Sequence, residues 1–319
     1  MTRDTGARLE QGARAPAMNR TAGFFIVALS GACFGALGLF GRLAYAAGAD
    51  APSLLFLRFT LAGAVLASVM VVRRQPLPER KLMLALILLG AVGYVSEAAA
   101  YFIALQHAPA GLVALLLYSF PALVALLQRV VFGERLGRVK WLAVALALGG
   151  TALTADVEQG GAKPLGIMLG LLSALLYAGY VVISARVAGR AGPLVSSTVI
   201  LGSAGATLGL VVLARGPAFP TTPTGWGAVV ALALVSTVAA VLLFFVGMAR
   251  IGPVNTSLVS TMEPLTAVLL GALFLDERLS VRQGVGGLLI LTAAVMLAWS
   301  DAPDPSRKPP TSTGTPAPG

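Results

Sequence analysis

A shift of 143 residues lays this chain over itself. Pro121 falls on Pro264, and Glu134, Arg135 and Leu136 fall on Glu277, Arg278 and Leu279. Phe102 meets Phe245 and Leu115 meets Leu258, with no gap needed between them. Each copy is an apolar run with a proline in its middle, closing on Glu-Arg-Leu thirteen residues after that proline. Identity elsewhere in the 101–136 window is low, so the common spacing carries the match. A chain built this way folds as two like units.

The apolar runs say what those units are. They span roughly 22–47, 53–72, 81–105, 110–131, 140–154, 165–188, 194–213, 225–249, 254–275 and 281–299. Most are about 18 to 25 residues long, and such a run makes ~30 Å of helix, the thickness of a hydrocarbon core. A chain of 319 residues ordinarily suggests two soluble domains. Here the apolar fraction is 57%, charged residues are 11% and mean hydropathy is +0.87, and a soluble core has no room for ten such runs. The runs are continuous rather than alternating, which argues for helices over strands. The first run continues well beyond Cys33, too long for the apolar core of a signal peptide.

Charge sets the expected topology. The net charge of +10 is spread as lipid orientation demands, and nucleic acid is not expected as a partner. With both termini inside, the cytoplasmic segments hold 17 of the 23 lysines and arginines, leaving Arg42, Arg58, Lys163, Arg215, Arg278 and Arg282 towards the other side. The chain therefore reads as an all-α membrane protein of ten transmembrane helices. Two five-helix repeats, 22–154 and 165–299, lie between disordered cytoplasmic tails at 1–21 and 300–319. An odd number of helices per repeat turns the second copy upside down. The loop at Glu134 carries Arg135, Arg138 and Lys140 and is expected inside; the near-neutral loop at Glu277 is expected outside. Inverted repeats around a midplane site suit a carrier, because equivalent halves can exchange inward- and outward-open shapes.

Two tandem five-helix units whose fourth helices end Pro-x(12)-Glu-Arg-Leu, with the Leu57-Arg58-Phe59 step in the second helix, resemble the EamA-type family of the drug/metabolite transporter superfamily. The resemblance covers about 22–299. It implies a ten-helix carrier of the bacterial cytoplasmic (inner) membrane with a central cavity, often exporting amino acids or other small metabolites. It does not name a substrate. One departure from internal symmetry stands out: Phe120 precedes the first proline, whereas Glu263 precedes the second.

Charges inside apolar runs mark the candidate site, since each costs ~2.5–3.5 kcal/mol at a helix centre. Glu97 and Arg58 lie at depths of ~13 Å and ~9 Å, counted at 1.5 Å per residue from the outer helix ends. They form either a structural pair or part of a water-filled cavity where Glu97 meets substrate or proton. Arg42, nearer the outer end of the first helix, is expected to snorkel to the interface. Glu263 sits beside Pro264, which removes an amide donor and frees the carbonyl of Ser260. Tyr94 and Tyr101 share a helix face with Glu97, and are expected to line the cavity with it. Tyr118, just before the Pro121 break, and Tyr177 are further substrate-binding candidates. Arg58, Pro121 and Pro264 are assigned structural or gating roles. Glycines at 31, 35, 38 and 41, with the pairs 166/170 and 205/209, read as faces for close helix contact.

An enzyme is not expected. One histidine and one cysteine leave no His pair and no usual His/Cys metal set, Cys33 and His107 carry no signature of a Cys-His nucleophile pair, and no Gly-x-Ser-x-Gly elbow or nucleotide-binding Gly-x(4)-Gly-Lys-Ser/Thr loop is present. Neither a metal nor a cofactor is implied. The expected partners are the lipid bilayer, a small-molecule substrate and possible coupling protons, in a monomer or homodimer. Efflux of drugs or cationic compounds, and an intramembrane scaffold or receptor without transport, are the competing readings.

Overall fold

The computed structural model describes residues 20–133, 137–154, 162–187 and 190–300, and these are helical apart from short connections, with no strand among them. Glu134, Arg135 and Leu136 lie outside the described residues, as do nearly all of the two expected tails. Eight helical stretches are long and apolar enough to cross a bilayer. The fifth and ninth of the expected runs are shorter: Arg138–Thr154 has 17 residues and Met262–Phe274 has 13.

Local chemistry sets the helix ends. The Asp50 carboxylate accepts a bond from the Ser53 amide at 2.9 Å and opens the second helix, Ala51–Val72. Thr222 does the same for Gly225 at 3.2 Å, ahead of the eighth helix, which starts at Pro223. A proline in the first turn forfeits nothing, because its amide has no partner there. Gly133 ends the fourth helix at φ 67°, a conformation that glycine adopts freely.

Two pairs of interior breaks matter for function. The fourth helix is two pieces, Ala110–Leu117 and Phe120–Phe132, parted at Tyr118-Ser119 one turn before the expected Pro121 position. Its counterpart breaks at Ser260-Thr261, between Ala240–Val259 and Met262–Phe274. The sequence puts a loop at 250–253, yet the helix runs on through those residues. Proline's fixed φ is itself helical, so a helix can run on through Pro253 even without that amide, as membrane helices tolerate. Pro264, in the first turn of Met262–Phe274, leaves the Ser260 carbonyl without its helical donor. The third helix (Arg80–Leu88 and Val95–Ala104) and the eighth (Pro223–Ala233 and the start of Ala240–Val259) each carry a central π segment, at Leu89–Tyr94 and Leu234–Ala239. No sequence signal foretold this second pair of interruptions.

The repeats pack by exchange. The first helix, Arg20–Gly35 and Leu37–Ala46, lies on the eighth, and the sixth, Pro164–Val187, lies on the third. The second packs on the seventh, Pro193–Arg215, and the fifth on the tenth, Val281–Ser300. On the second and seventh helices Gly63 opposes Gly202, Thr60 opposes Gly205 and Phe56 opposes Gly209. Numbers rise on one helix as they fall on its equivalent, so equivalent helices run antiparallel and a two-fold axis lies across them. That is the geometry of inverted repeats. The glycines of the first helix do what their spacing suggests: a Cβ on Gly31 would come within 3.2 Å of Met262, and one on Gly38 within 2.7 Å of Ala110. Close contact is thus used inside the chain.

The connections follow the expected alternation. The 47–50 turn bonds the 216–222 turn through Thr221 N to Ala47 O (2.8 Å), and Lys163 N donates to His107 O (2.8 Å). Loops assigned to one side of the bilayer meet one another. Trp141, Trp226 and Trp299 are exposed near run ends, as interfacial anchors are.

Candidate functional site

The least exposed charge among the described residues is Arg58, on the second helix, only 4% exposed. Its Nε donates to Thr237 Oγ1 at 2.9 Å, and its Nη2 reaches the Tyr94 hydroxyl at 3.5 Å. Tyr94 closes the π segment of the third helix, and Thr237 lies in the π segment of the eighth. These two residues are 143 positions apart, so they are equivalents in the two repeats. One guanidinium therefore bridges matching points of both halves, beside the axis that relates them. Such π segments widen the helix and leave backbone groups short of a partner; here the Thr237 hydroxyl donates to the Leu232 carbonyl at 2.9 Å. The Arg58 cation also lies 5.1 Å from the ring centre of Phe59 and 5.4 Å from that of Phe102.

The direct Arg58–Glu97 pair allowed by their depths does not form: no carboxylate of a described residue lies within ion-pair distance of Arg58. Depth along a helix fixes height in the membrane but not the face, and the guanidinium turns towards the other repeat. Glu97, 7% exposed, instead accepts a bond from Ser173 Oγ of the sixth helix at 3.1 Å. The mate of this contact is present. Ser30, equivalent to Ser173, donates at 2.7 Å to the carbonyl of Ala240, equivalent to Glu97. The scaffold keeps its symmetry here, and only the first repeat places a charge on it.

Glu263 enters at the break in the ninth helix. The Ser260 carbonyl, freed by Pro264, is taken by the Tyr118 hydroxyl from the matching break in the fourth helix. The Glu263 amide also donates to it at 3.0 Å. Glu263 Oε2 lies 3.5 Å from the same hydroxyl. The two broken helices thus face each other, with Tyr118 as the link.

Aromatic rings join the two charged ends. Phe59 meets Tyr94 at 5.1 Å between ring centres, Tyr94 meets Tyr180 at 5.5 Å, and Tyr180 stacks on Tyr177 at 6.0 Å. Tyr177 then meets Phe120 edge-on at 4.7 Å, and Phe120 meets Tyr118 at 5.9 Å. Tyr94, Tyr118 and Tyr177 are brought into one ladder, as their candidacy requires. Tyr101 is not. It packs edge-on against Phe102 at 5.5 Å, within the apolar core of the first repeat. Sharing a helix face with Glu97 was too coarse a criterion, because the face is wide and its far end points into packed side chains.

Sequence reasoning missed Thr237 and Ser173 as partners of the charged groups. The 143-residue register held one usable signal, since it pairs Tyr94 with Thr237 and Ser30 with Ser173. It also missed the partners of Arg42, whose side chain is one-third exposed. Arg42 Nη1 donates to the Leu105 carbonyl at 2.7 Å and its Nη2 lies 3.5 Å from Glu277 Oε1. The buried Glu97, the half-buried Glu263, one guanidinium and a run of ring faces can hold a small polar or zwitterionic solute with a flat portion.

Two inverted helical repeats, broken helices meeting at the middle and ionisable groups at their junction are the architecture of a membrane transporter. The EamA-like transporter family model matches residues 21–155 and again 164–299, and the chain belongs to that family. An uncharacterized transporter of Bacillus subtilis, YcbK, is 27% identical over 288 residues, covering 83% of this chain and 89% of that protein. A transporter of Archaeoglobus fulgidus is 32% identical over 203 residues, 64% of this chain and 72% of its own length. The inner membrane transporter YedA of Escherichia coli K12 is 25% identical over 246 residues, covering 75% and 79% of the two chains. A protein of known crystal structure shares the fold with a TM-score of 0.60 at 24% identity, over 87% of this chain and 96% of that one.

Proposed function

We propose that this protein is a secondary transporter of the bacterial cytoplasmic (inner) membrane, exporting small metabolites such as amino acids by alternating access between its two repeats. Both termini, with the tails at 1–21 and 300–319, face the cytoplasm in this reading. The solute binds among Arg58, Glu97, Tyr94, Tyr118, Tyr177 and Glu263. Pro121 and Pro264 loosen the helices that must flex around it.

The observation that carries the reading is the position of Arg58. A guanidinium at this depth, held by two neutral oxygens and two ring faces, has no counter-anion in contact among the described residues. An acidic group on the solute supplies one. Glu263, at the other end of the aromatic ladder, is placed to take an amino group. Tyr101 drops out of direct contact and supports the wall behind Phe102.

Reconstitution into proteoliposomes with a panel of amino acids, nucleosides, sugars and cationic drugs tests the proposal. Counterflow of one or more amino acids, abolished in Glu263→Gln, is the expected outcome. Movement of the cationic drugs alone would favour the efflux reading, which the carboxylates of Glu97 and Glu263 motivate. Flux with and without an imposed pH gradient separates proton coupling from uniport. An equal rate in both removes coupling.

A further inference from the structure

We propose that Glu277 and Arg42 form a latch that closes the carrier at one face, and that the latch must open before a solute can reach Arg58 from that face. The inference rests on the carrier reading above.

Glu277 belongs to the second repeat and its side chain is 7% exposed, yet the partners that bind its carboxylate all belong to the first. Its Oε1 accepts from the Ala110 amide at 2.8 Å and its Oε2 lies 3.2 Å from the Gly111 amide, so it caps the start of the fourth helix. A carboxylate in this place is favoured by both the unpaired amides and the helix dipole. Arg42 completes the latch. It sits 3.5 Å from Glu277 and is itself fixed by the Leu105 carbonyl at the end of the third helix. One carboxylate thus ties the first, third and fourth helices of one repeat to the turn before the tenth helix of the other. The fit is tight: a Cβ on Gly271 would run into Glu277 Oε2, and one on Gly111 would come within 3.1 Å of Val268.

The rest of this face is closed as well. Ala218 N donates to Ser53 Oγ at 3.0 Å and Asp50 N to Ala218 O at 3.2 Å, joining the turns of the two repeats. On the opposite face a cavity of about 320 Å³ lies between the connections at 76–79 and 190–191, lined by Leu77, Glu79, Leu82 and Arg190 among others.

The internal register shows why the two faces differ. The position equivalent to Ala110 is Pro253, which has no amide to offer. The position equivalent to Arg42 is Ala185, which has no charge. Of the three groups that hold Glu277, only the Gly111 amide has an equivalent with a donor, at Val254. The latch on the Glu277 face therefore has more bonds available to it than its counterpart, and the resting carrier is closed there. Closure at this face is the arrangement that an exporter loading from inside requires.

Labelling tests this without any solute. In a Cys33→Ser background, Ser173→Cys places a thiol against Glu97, and a membrane-impermeant maleimide is applied to each face in vesicles of either orientation. With the latch intact, labelling from the Glu277 face is slow. Glu277→Gln, which weakens every bond of the latch, raises that rate about tenfold or more. Arg42→Ala leaves the helix cap in place and raises it less, by about threefold. Rates from the Glu277 face that stay unchanged in both variants, or that rise equally from both faces, overturn the proposal. If Glu277→Gln fails to reach the membrane, Arg42→Ala decides alone. A wrong substrate class leaves this result standing, because accessibility is read with no transported compound present.

Discussion

Replacing Arg58 by methionine separates what this residue does for folding from what it does for transport. Placing an arginine at a helix centre costs ~2.5–3.5 kcal/mol on insertion scales. Against this stand the bond to Thr237 at 2.9 Å and the two ring contacts. A hydrogen bond from a charged donor contributes ~1.5–3 kcal/mol, and desolvated cation–π contacts add about 1–2 kcal/mol. The two sides cancel to within about 1–2 kcal/mol on these figures. Methionine has similar reach and fills irregular space. Thr237 keeps its bond to the Leu232 carbonyl, so the hydroxyl beneath the substitution is not orphaned. Arg58→Met is therefore expected to reach the membrane and melt near the wild-type temperature. Transport behaves differently. Loss of one charge-assisted bond to the acidic group of a solute, ~1.5–3 kcal/mol, lowers flux at subsaturating solute by about 10- to 150-fold. Proteoliposome uptake, normalised to folded protein, measures the second number, and a thermal shift in detergent measures the first. Wild-type flux in Arg58→Met would refute the assignment of Arg58 to solute binding, and loss of folded protein would refute the cancellation.

The other substitutions probe the broken helices and the glycine contacts. Glu263→Gln is expected to depress transport more than it depresses the amount of folded protein; equal losses in the two assays would make Glu263 a purely structural carboxylate. Tyr118→Phe removes the bond to the Ser260 carbonyl, which retains the Glu263 amide, so a thermal-shift assay should show a loss of only about 1 kcal/mol. Gly150 and Gly149 are neighbours with opposite expectations. A Cβ on Gly150 would press within 2.9 Å of Leu289 and against the Gly286 backbone, whereas one on Gly149 meets nothing within 4 Å. Gly150→Ala should lower the melting temperature and Gly149→Ala should leave it level or raise it. The reverse order would mean that the fifth and tenth helices do not touch as described.

Much of the fold was legible because lipid simplifies the code. Apolar length marks the helices, and the Pro-to-Glu-Arg-Leu spacing marks the duplication. Side-chain partners were less legible, for a geometric reason. A depth count placed Arg58 near Glu97, but partner choice depends on rotation about the helix axis, and Arg58 turns to Thr237 across the repeat boundary. The π segments at Leu89–Tyr94 and Leu234–Ala239 carry no breaker that distinguishes them from ordinary apolar helix. Each rotates the next turns of its helix away from their positions in an unbroken one, so the Tyr94 and Thr237 faces could not be read by 3.6-residue periodicity. The partner of Arg42 was not legible because it lies 235 positions away, in a turn whose own sequence looks neutral.

The upside-down relation of the two repeats is best tested by topology. With Cys33 replaced, Gly137→Cys and Arg278→Cys place thiols at exposed positions after the two repeated fourth helices; a Cβ at residue 137 meets nothing within 4 Å. Labelling with an impermeant maleimide in sealed vesicles should modify the two thiols from opposite faces, residue 137 from the cytoplasmic one. Modification of both from the same face would contradict the inverted arrangement, and with it the passage of a solute along the junction at Arg58.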